Sequence, residues 1–287
     1  MAVALITFDF DPLLRLGDGL AVRWQTAALV VVIAAGLITA GLMARRAGLR
    51  ADDLLFITAA AVPGAVVGGR LGYLLLHLDY YGAHSEAILD PGQGSLELAL
   101  GIVGGVLSGS YVASLLGAPI GAWLRTLTLP LLFVLGAGKL TMALGGSGQG
   151  QPADLSWATA YLGQGPWGSL APELASHPSA AYEGIAILVI LTLVAVALAV
   201  DAFQARDSRL FFGCLAAVAA ARAAVAVTWR DPALIAGLNA GTVIAVAIAL
   251  GCAIGWIVVA RRHRGSPGPA EAPREVTWAD PEARPRF

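Results

Sequence analysis

The sequence predicts an all-α, polytopic membrane protein with seven transmembrane helices, and three observations carry that expectation. Hydrophobic residues make up 57% and charged residues 13% of the 287-residue chain, and its mean hydropathy is +0.75, outside the range of soluble globular domains. Seven apolar stretches are each long enough to cross a hydrocarbon core about 30 Å thick as a helix. No run alternates polar and apolar residues with period two, as the wall of a β-barrel does.

The stretches run roughly over Gln25–Met43, Leu54–Leu78, Leu96–Leu116, Leu127–Leu144, Glu183–Val200, Phe211–Thr228 and Gly241–Ala260. Ahead of them, Met1–Gly17 mixes acids and a proline with apolar residues and lacks the basic start and long apolar core of a cleaved signal peptide. The net charge of −1 says little, but its distribution does. Arg45, Arg46 and Arg50 follow the first span, Arg125 the third, Arg206 and Arg209 the fifth, and Arg261, Arg262 and Arg264 the seventh. The other side holds Arg15, Arg23 and Arg230. The positive-inside rule therefore puts the N-terminus outside and the C-terminus in the cytoplasm. Residues 1–264 form one transmembrane domain with an outer loop at 145–181. Residues 265–287, rich in proline and charge, read as a disordered cytoplasmic tail. Cys214 and Cys252 lie within spans and read as small buried hydrophobes rather than a disulfide or a metal site.

Four basic residues sit where a membrane tolerates them least: Arg70, Lys139 and Arg222 inside spans, and Arg230 at the end of one. A cation near mid-membrane costs at least about 2.5–3.5 kcal/mol on insertion scales, which makes each a functional-site candidate. Lys139 is the only lysine of the chain. The second, fourth and sixth spans run in the same direction, so Arg70, Lys139 and Arg222 reach depths that agree to within a few Å at about 1.5 Å per residue. Glu97, Tyr182, Glu183, His177 and Asn239 belong to the same outer half. Arg70, Tyr73 and His77, spaced i, i+3, i+7, share a helix face. Arginine forks match phosphate oxygens, so Arg70, Lys139, Arg222, Arg230, Tyr73 and Glu183 are the candidate ligands of a phospholipid head group. The competing expectation is ion pairing between helices, Arg70 with Glu97 or Arg222 with Glu183, or snorkelling to the interface.

Glycines recur at i, i+4, i+8 in Gly64–Gly68–Gly72 and Gly101–Gly105–Gly109, a spacing that lets two helix backbones approach closely. Segment 145–181 carries Trp157, Tyr161 and Trp167 but no Lys or Arg, as fits a loop resting on the membrane surface.

The ordered motifs resemble the prolipoprotein diacylglyceryl transferases. Val22-Arg23-Trp24 is similar to that family's opening, and Gly68-Gly69-Arg70-Leu71-Gly72-Tyr73 to its Gly-Gly-Arg-x-Gly-Tyr stretch. His177-Pro178-Ser179-Ala180-Ala181-Tyr182-Glu183 resembles its His-Pro-Ser-x-x-Tyr-Glu motif, and Trp229-Arg230-Asp231-Pro232 its late Phe-Arg-x-Pro motif. Asn239-Ala240-Gly241-Thr242 occupies the place of its final Met-Gly-Gln segment. Two segments depart. Glu97-Leu98-Ala99 stands where the family reads Ser-Phe-His, so the family's histidine falls on Ala99. Gly138-Lys139 stands where its signature reads Gly-Arg, and both signature asparagines are absent from Thr141–Gly145.

The resemblance implies transfer of diacylglycerol from phosphatidylglycerol, or another anionic phospholipid, to the lipobox cysteine of a precursor protein, in the inner (plasma) membrane of a bacterium. It implies no cofactor, no metal and no nucleic-acid partner. The chemistry needs cations where charge develops on the departing phosphate, for which Arg230, Lys139 and Arg70 are the candidates. It also needs a base, because a free thiol titrates near about 8.5. His77 is the candidate base, and His177 reads as a turn residue ahead of the fifth span. The alternative expectation is an inactive relative that keeps the scaffold as a phospholipid-binding or regulatory membrane protein. A retinal photoreceptor is disfavoured because the only lysine lies on the fourth span. A proton relay is disfavoured because paired mid-membrane acids are not evident.

Overall fold

The computed structural model describes residues 6–17, 19–88, 90, 96–203, 207–231, 233–235 and 237–264. Seven of its helices are long and apolar enough to cross a membrane. They are α1 (Trp24–Arg46), α2 (Ala51–Leu76), α4 (Leu98–Leu115), α5 (Ile120–Thr141), α6 (Ser179–Ala199), α7 (Arg209–Val225) and α8 (Ala240–Arg264). The short helix α3 (Leu78–Ala83) follows α2. The chain is thus a multi-pass membrane protein, and large apolar side chains such as Val31, Ile38, Leu55, Val67, Leu107 and Leu193 stand exposed on its flanks, where lipid takes the place of water. The tail at 265–287 lies outside the described residues.

Two helix boundaries differ from expectation. Helix α5 starts at Ile120 rather than Leu127, directly after Pro119 at its N-cap, so Arg125 belongs to the helix and not to a preceding loop. Its guanidinium lies 5.9 Å over the Phe203 ring, a tertiary contact that accommodates the charge. Helix α6 starts four residues before Glu183, after Pro178, which places Glu183 in its second turn.

The glycine stripes do bring α2 and α4 together. A Cβ on Gly104 would overlap the Gly64 carbonyl, and one on Gly68 would overlap the Leu100 carbonyl. Gly101, Gly105 and Gly109 face Ala65, Ala61 and Ile57 in ordinary to tight contact. Ser108 donates to the Ala60 carbonyl across the same seam, at 2.8 Å. Helix α5 is central and touches α1, α4, α6 and α7. Leu132 and Leu135 of α5 pack with Ile187 of α6 and Leu210, Cys214 and Val218 of α7 in one core. A second core holds Ala40, Ala44, Leu54, Ile57, Ala113 and Trp123. Cys214 and Cys252 are buried free thiols.

At the end of the bundle where α5 finishes and α6 begins, the connections form a structured cap. Strand β1 (Ile6–Phe8) pairs in parallel with β4 (Thr159–Tyr161). Strands β2 (Leu13–Arg15) and β3 (Ala21–Arg23) form an antiparallel hairpin, and β5 (Ala233–Ile235) pairs with β6 (Leu238–Asn239). The Phe8 ring stacks on Tyr161 at 4.8 Å, and Trp167 sits 4.8 Å from the same ring. The Gln149 carboxamide donates to the carbonyls of Thr159, Pro172 and Leu174. Segment 145–178 is therefore folded against the N-terminal strand rather than an unsupported connector, with Trp157, Leu162, Leu170 and Leu174 left exposed on it.

Candidate site at the cap end of the bundle

Two pairs of close approaches build the site. A Cβ on Gly184 of α6 would lie 2.9 Å from the Gly136 carbonyl of α5, so these helices nearly touch. That contact leaves Lys139, about one turn along α5 from Gly136, and Glu183, next to Gly184, within reach of each other. The Ser179 hydroxyl bonds Thr228 through its carbonyl at 3.1 Å and its hydroxyl at 2.7 Å, which ties the start of α6 to the end of α7. Arg222 in the last turn of α7 and Trp229 just beyond it then face Glu183.

The result is a four-charge network. Lys139 Nζ lies 2.5 Å from Glu183 Oε2. Arg222 reaches Glu183 Oε2 at 3.3 Å with Nη1 and Glu97 Oε1 at 3.4 Å with Nη2. Trp229 Nε1 donates to Glu183 Oε1 at 2.9 Å, and its ring lies 5.2 Å from Lys139 Nζ. Glu97 caps α4 by accepting from the Leu100 N–H at 2.7 Å. Glu183, Glu97 and Lys139 are 3%, 6% and 9% exposed, so these charges have given up most of their solvation. Such burial persists only when opposite charges and hydrogen bonds offset the desolvation. Two cations and two carboxylates leave the network formally neutral. The two acids that the sequence did not suggest as a pair meet across Arg222. Among the described residues, the buried Arg222 Nε has no hydrogen-bond partner.

Of the other expected ligands, Arg70 and Arg230 stand apart from this network. The Arg70 guanidinium donates to the carbonyls of Ala87 (2.9 Å), Ile88 (3.0 and 3.1 Å) and Asp90 (3.0 Å) and lies 5.6 Å over Tyr81. It clamps the segment after α3. Arg230 donates from Nε to the Gly150 carbonyl and from Nη2 to Ser176 Oγ at 2.7 Å, holding the long loop. Tyr73 stacks on His77 at 4.1 Å, and His77 Nδ1 lies 2.9 Å from the Tyr73 carbonyl at the exposed end of α2. Their shared face is as the spacing predicts. His177 Nδ1 lies 3.4 Å from the Tyr182 hydroxyl, to which Trp157 Nε1 also donates at 2.7 Å. The structure thus joins Lys139, Arg222 and Glu183, adds Glu97 and Trp229, and leaves Arg70, Tyr73, His77 and Arg230 in separate contacts. Trp229 is not among the expected ligands, although it stands in the Trp229-Arg230-Asp231-Pro232 segment that resembles the late Phe-Arg-x-Pro motif.

Two cavities adjoin the network. A small one of about 40 Å³ is lined by Ala99, Leu135, Lys139, Glu183, Val218 and Arg222, among others. A larger one of about 600 Å³ lies among α1, α2, α4 and α5 and is lined almost wholly by apolar side chains. Glu97 is the one charged residue among its described lining. That volume is in the range of small-molecule sites, about 300–1,000 Å³.

Comparison with known proteins agrees with this architecture. A phosphatidylglycerol--prolipoprotein diacylglyceryl transferase of Geobacter sulfurreducens is 30% identical over 65% of this chain and 70% of its own length. The proteins of the same description from Methylibium petroleiphilum and Bordetella avium are 30% identical over 67% and 75%, and 32% identical over 65% and 70%, of the two chains respectively. The family model for prolipoprotein diacylglyceryl transferase matches residues 12–258, a stretch that holds all seven apolar helices up to the last turns of α8, and the chain belongs to that family.

Proposed function

We propose that this protein moves diacylglycerol from phosphatidylglycerol to the cysteine thiol of a lipobox precursor, at the outer face of a bacterial plasma membrane. The observation that carries this reading is the buried Lys139–Glu183–Arg222–Glu97 network beside a large apolar cavity. The cavity suits the apolar part of a lipid. The cations suit the phosphate, whose charge grows as its bond to the glyceryl carbon breaks. Lys139 spends one of its three N–H donors on Glu183 and keeps two for a phosphate; it acts as a point charge where a guanidinium would bind bidentately. We assign Arg70, Tyr73 and Arg230 to holding the walls around the head group, through the segment after α2 and the long loop. The distribution of arginines supports an outer position for the cap end.

A second reading, a phospholipid-binding relative without turnover, is favoured by one observation. Each cation of the network already faces a carboxylate, and the resemblance puts the family's histidine at Ala99. The purified chain in nanodiscs containing phosphatidylglycerol, given a lipobox peptide, separates the two. Glycerol phosphate release with a diacylglyceryl mass gain on the peptide is expected. Bound phosphatidylglycerol by native mass spectrometry with no release over hours would establish the second reading.

A further inference from the structure

The two buried carboxylates differ in how they are held. Both oxygens of Glu183 are engaged: Oε2 by Lys139 at 2.5 Å and Arg222 at 3.3 Å, and Oε1 by Trp229 at 2.9 Å. Glu97 Oε2 is occupied by the Leu100 N–H at 2.7 Å, but Oε1 has a single partner among the described residues, Arg222 Nη2 at 3.4 Å. The Glu97 backbone N–H donates to the Gly69 carbonyl at 2.9 Å, which pins the carboxylate at the junction of α2 and α4. Lys139, Glu183 and Arg222 line the small cavity; Glu97 lines the large one. Glu97 therefore links the charged network to the apolar space. Ala99, two residues on, presents only a methyl group to the small cavity.

We infer that Glu97 is the catalytic residue that takes the proton from the substrate thiol. The inference rests on the transferase reading above. A phosphate diester entering beside Lys139 and Arg222 competes for the Arg222 fork and draws it from Glu97 Oε1. The freed oxygen then accepts the S–H proton of the lipobox cysteine. The sulfur electron pair forms the C–S bond to the glyceryl carbon, and the C–O bond to phosphate breaks with its pair leaving on glycerol phosphate. The extra negative charge on that leaving group lies against Lys139 and Arg222. The proton passes from Glu97 to the departing phosphate monoester, which restores the carboxylate and balances the reaction. Lipid must bind before the thiol is deprotonated, because Arg222 occupies the base until phosphate arrives.

The test uses the full chain in phosphatidylglycerol nanodiscs with two peptides, one with a lipobox cysteine and one with selenocysteine in its place. The selenol is already ionised at neutral pH and needs no base. Glu97→Gln keeps the size and the capping oxygen. It is expected to lower single-turnover glycerol phosphate release with the cysteine peptide by about 10²–10⁴, the usual share of a general base. It is expected to strengthen phosphatidylglycerol binding by native mass spectrometry, because the carboxylate that competes with phosphate for Arg222 is gone, and to recover most of the lost rate with the selenocysteine peptide. A purely structural role predicts equal losses with both peptides and would overturn the assignment, as would full activity of Glu97→Gln. If Glu97→Gln does not fold, Glu97→Asp and Glu97→Ser give the same contrast: Asp active on cysteine, Ser active on selenocysteine alone. Selenocysteine rescue of His77→Ala but not of Glu97→Gln would move the base to His77 and overturn the inference. A wild-type protein inactive on both peptides would sink the transferase reading itself; an active wild type with an indifferent Glu97 would sink only this step.

Discussion

Replacing Glu183 with alanine should be the most destabilising single change at the site. It removes the shared acceptor of Lys139 at 2.5 Å, Arg222 at 3.3 Å and Trp229 at 2.9 Å. The network goes from neutral to a net charge of about +1, with Glu97 alone facing two cations. Breaking a buried ion pair by removing one partner costs about 3–5 kcal/mol, because the other charge stays desolvated. The lost Trp229 hydrogen bond adds little, since interhelical hydrogen bonds in membranes average about 0.6 kcal/mol. The Trp229 ring already lies beside Lys139 with Glu183 in place, so its cation–π contact is common to both proteins and does not offset the loss. The charge term therefore decides, and the loss should be near 3 kcal/mol. Removing Lys139 as well returns the network to one cation and one carboxylate, so Lys139→Ala/Glu183→Ala should be more stable than Glu183→Ala alone. Equilibrium unfolding in mixed micelles, followed by tryptophan fluorescence, measures both. The reasoning fails if Glu183→Ala lies within about 1 kcal/mol of wild type, the scale of an exposed pair, or if the double variant is no better than the single one.

Two further outcomes follow from the cap. Arg70→Ala should open the segment it clamps: the amides of 85–88 and 90 should exchange faster while exchange in α5 and α6 stays the same, and Arg70→Lys should not restore protection, because one ammonium cannot reach the carbonyls of Ala87, Ile88 and Asp90 as a fork does. Burial pushes the Tyr161 phenol up to about 12 from its ordinary 10.0, so the folded protein holds that proton after the unfolded chain has lost it. Stability tied to Tyr161 is then complete below pH 10 and declines as pH rises toward 12, by an amount on the order of 2 kcal/mol; Tyr161→Phe should flatten that part of the stability curve measured by Trp167 fluorescence, and an unchanged curve would contradict it.

How far the sequence could be read depended on what each side chain meets. The seven spans are legible because a lipid-facing helix must be apolar on every exposed turn, and that requirement is written locally. The start of α5 was not, because Arg125 lowers the local hydropathy and its accommodation over Phe203 comes from a segment far along the chain. The Arg222–Glu183 pair was legible as one of two expectations, since both residues lie at matching depth. The Lys139–Glu183 contact depends on Gly136 and Gly184 letting α5 and α6 nearly touch, which no periodicity shows. Arg70 and Arg230 looked like phosphate ligands because a cation in an apolar stretch demands acceptors. Their acceptors include backbone carbonyls, at residues 87, 88 and 90 for Arg70 and 150 for Arg230, and every residue offers one.

The neutrality of the network also limits how the site can work. At an effective dielectric near 20, two unit charges 4 Å apart interact by about 4 kcal/mol, so an unbalanced phosphate beside Glu97 and Glu183 would be repelled by nearly as much as Lys139 and Arg222 attract it. A phosphate diester can therefore settle only if one carboxylate yields its cation. Glu183 is held by three donors and Glu97 Oε1 by one long contact, so Glu97 is the one to yield. Once it has yielded, an uncompensated carboxylate faces the apolar cavity, and accepting a proton is the step that relieves it. The thiol supplies that proton. In this arrangement the charge that opposes lipid binding is the same one that drives deprotonation, and a thiol arriving before the lipid finds its acceptor still paired with Arg222.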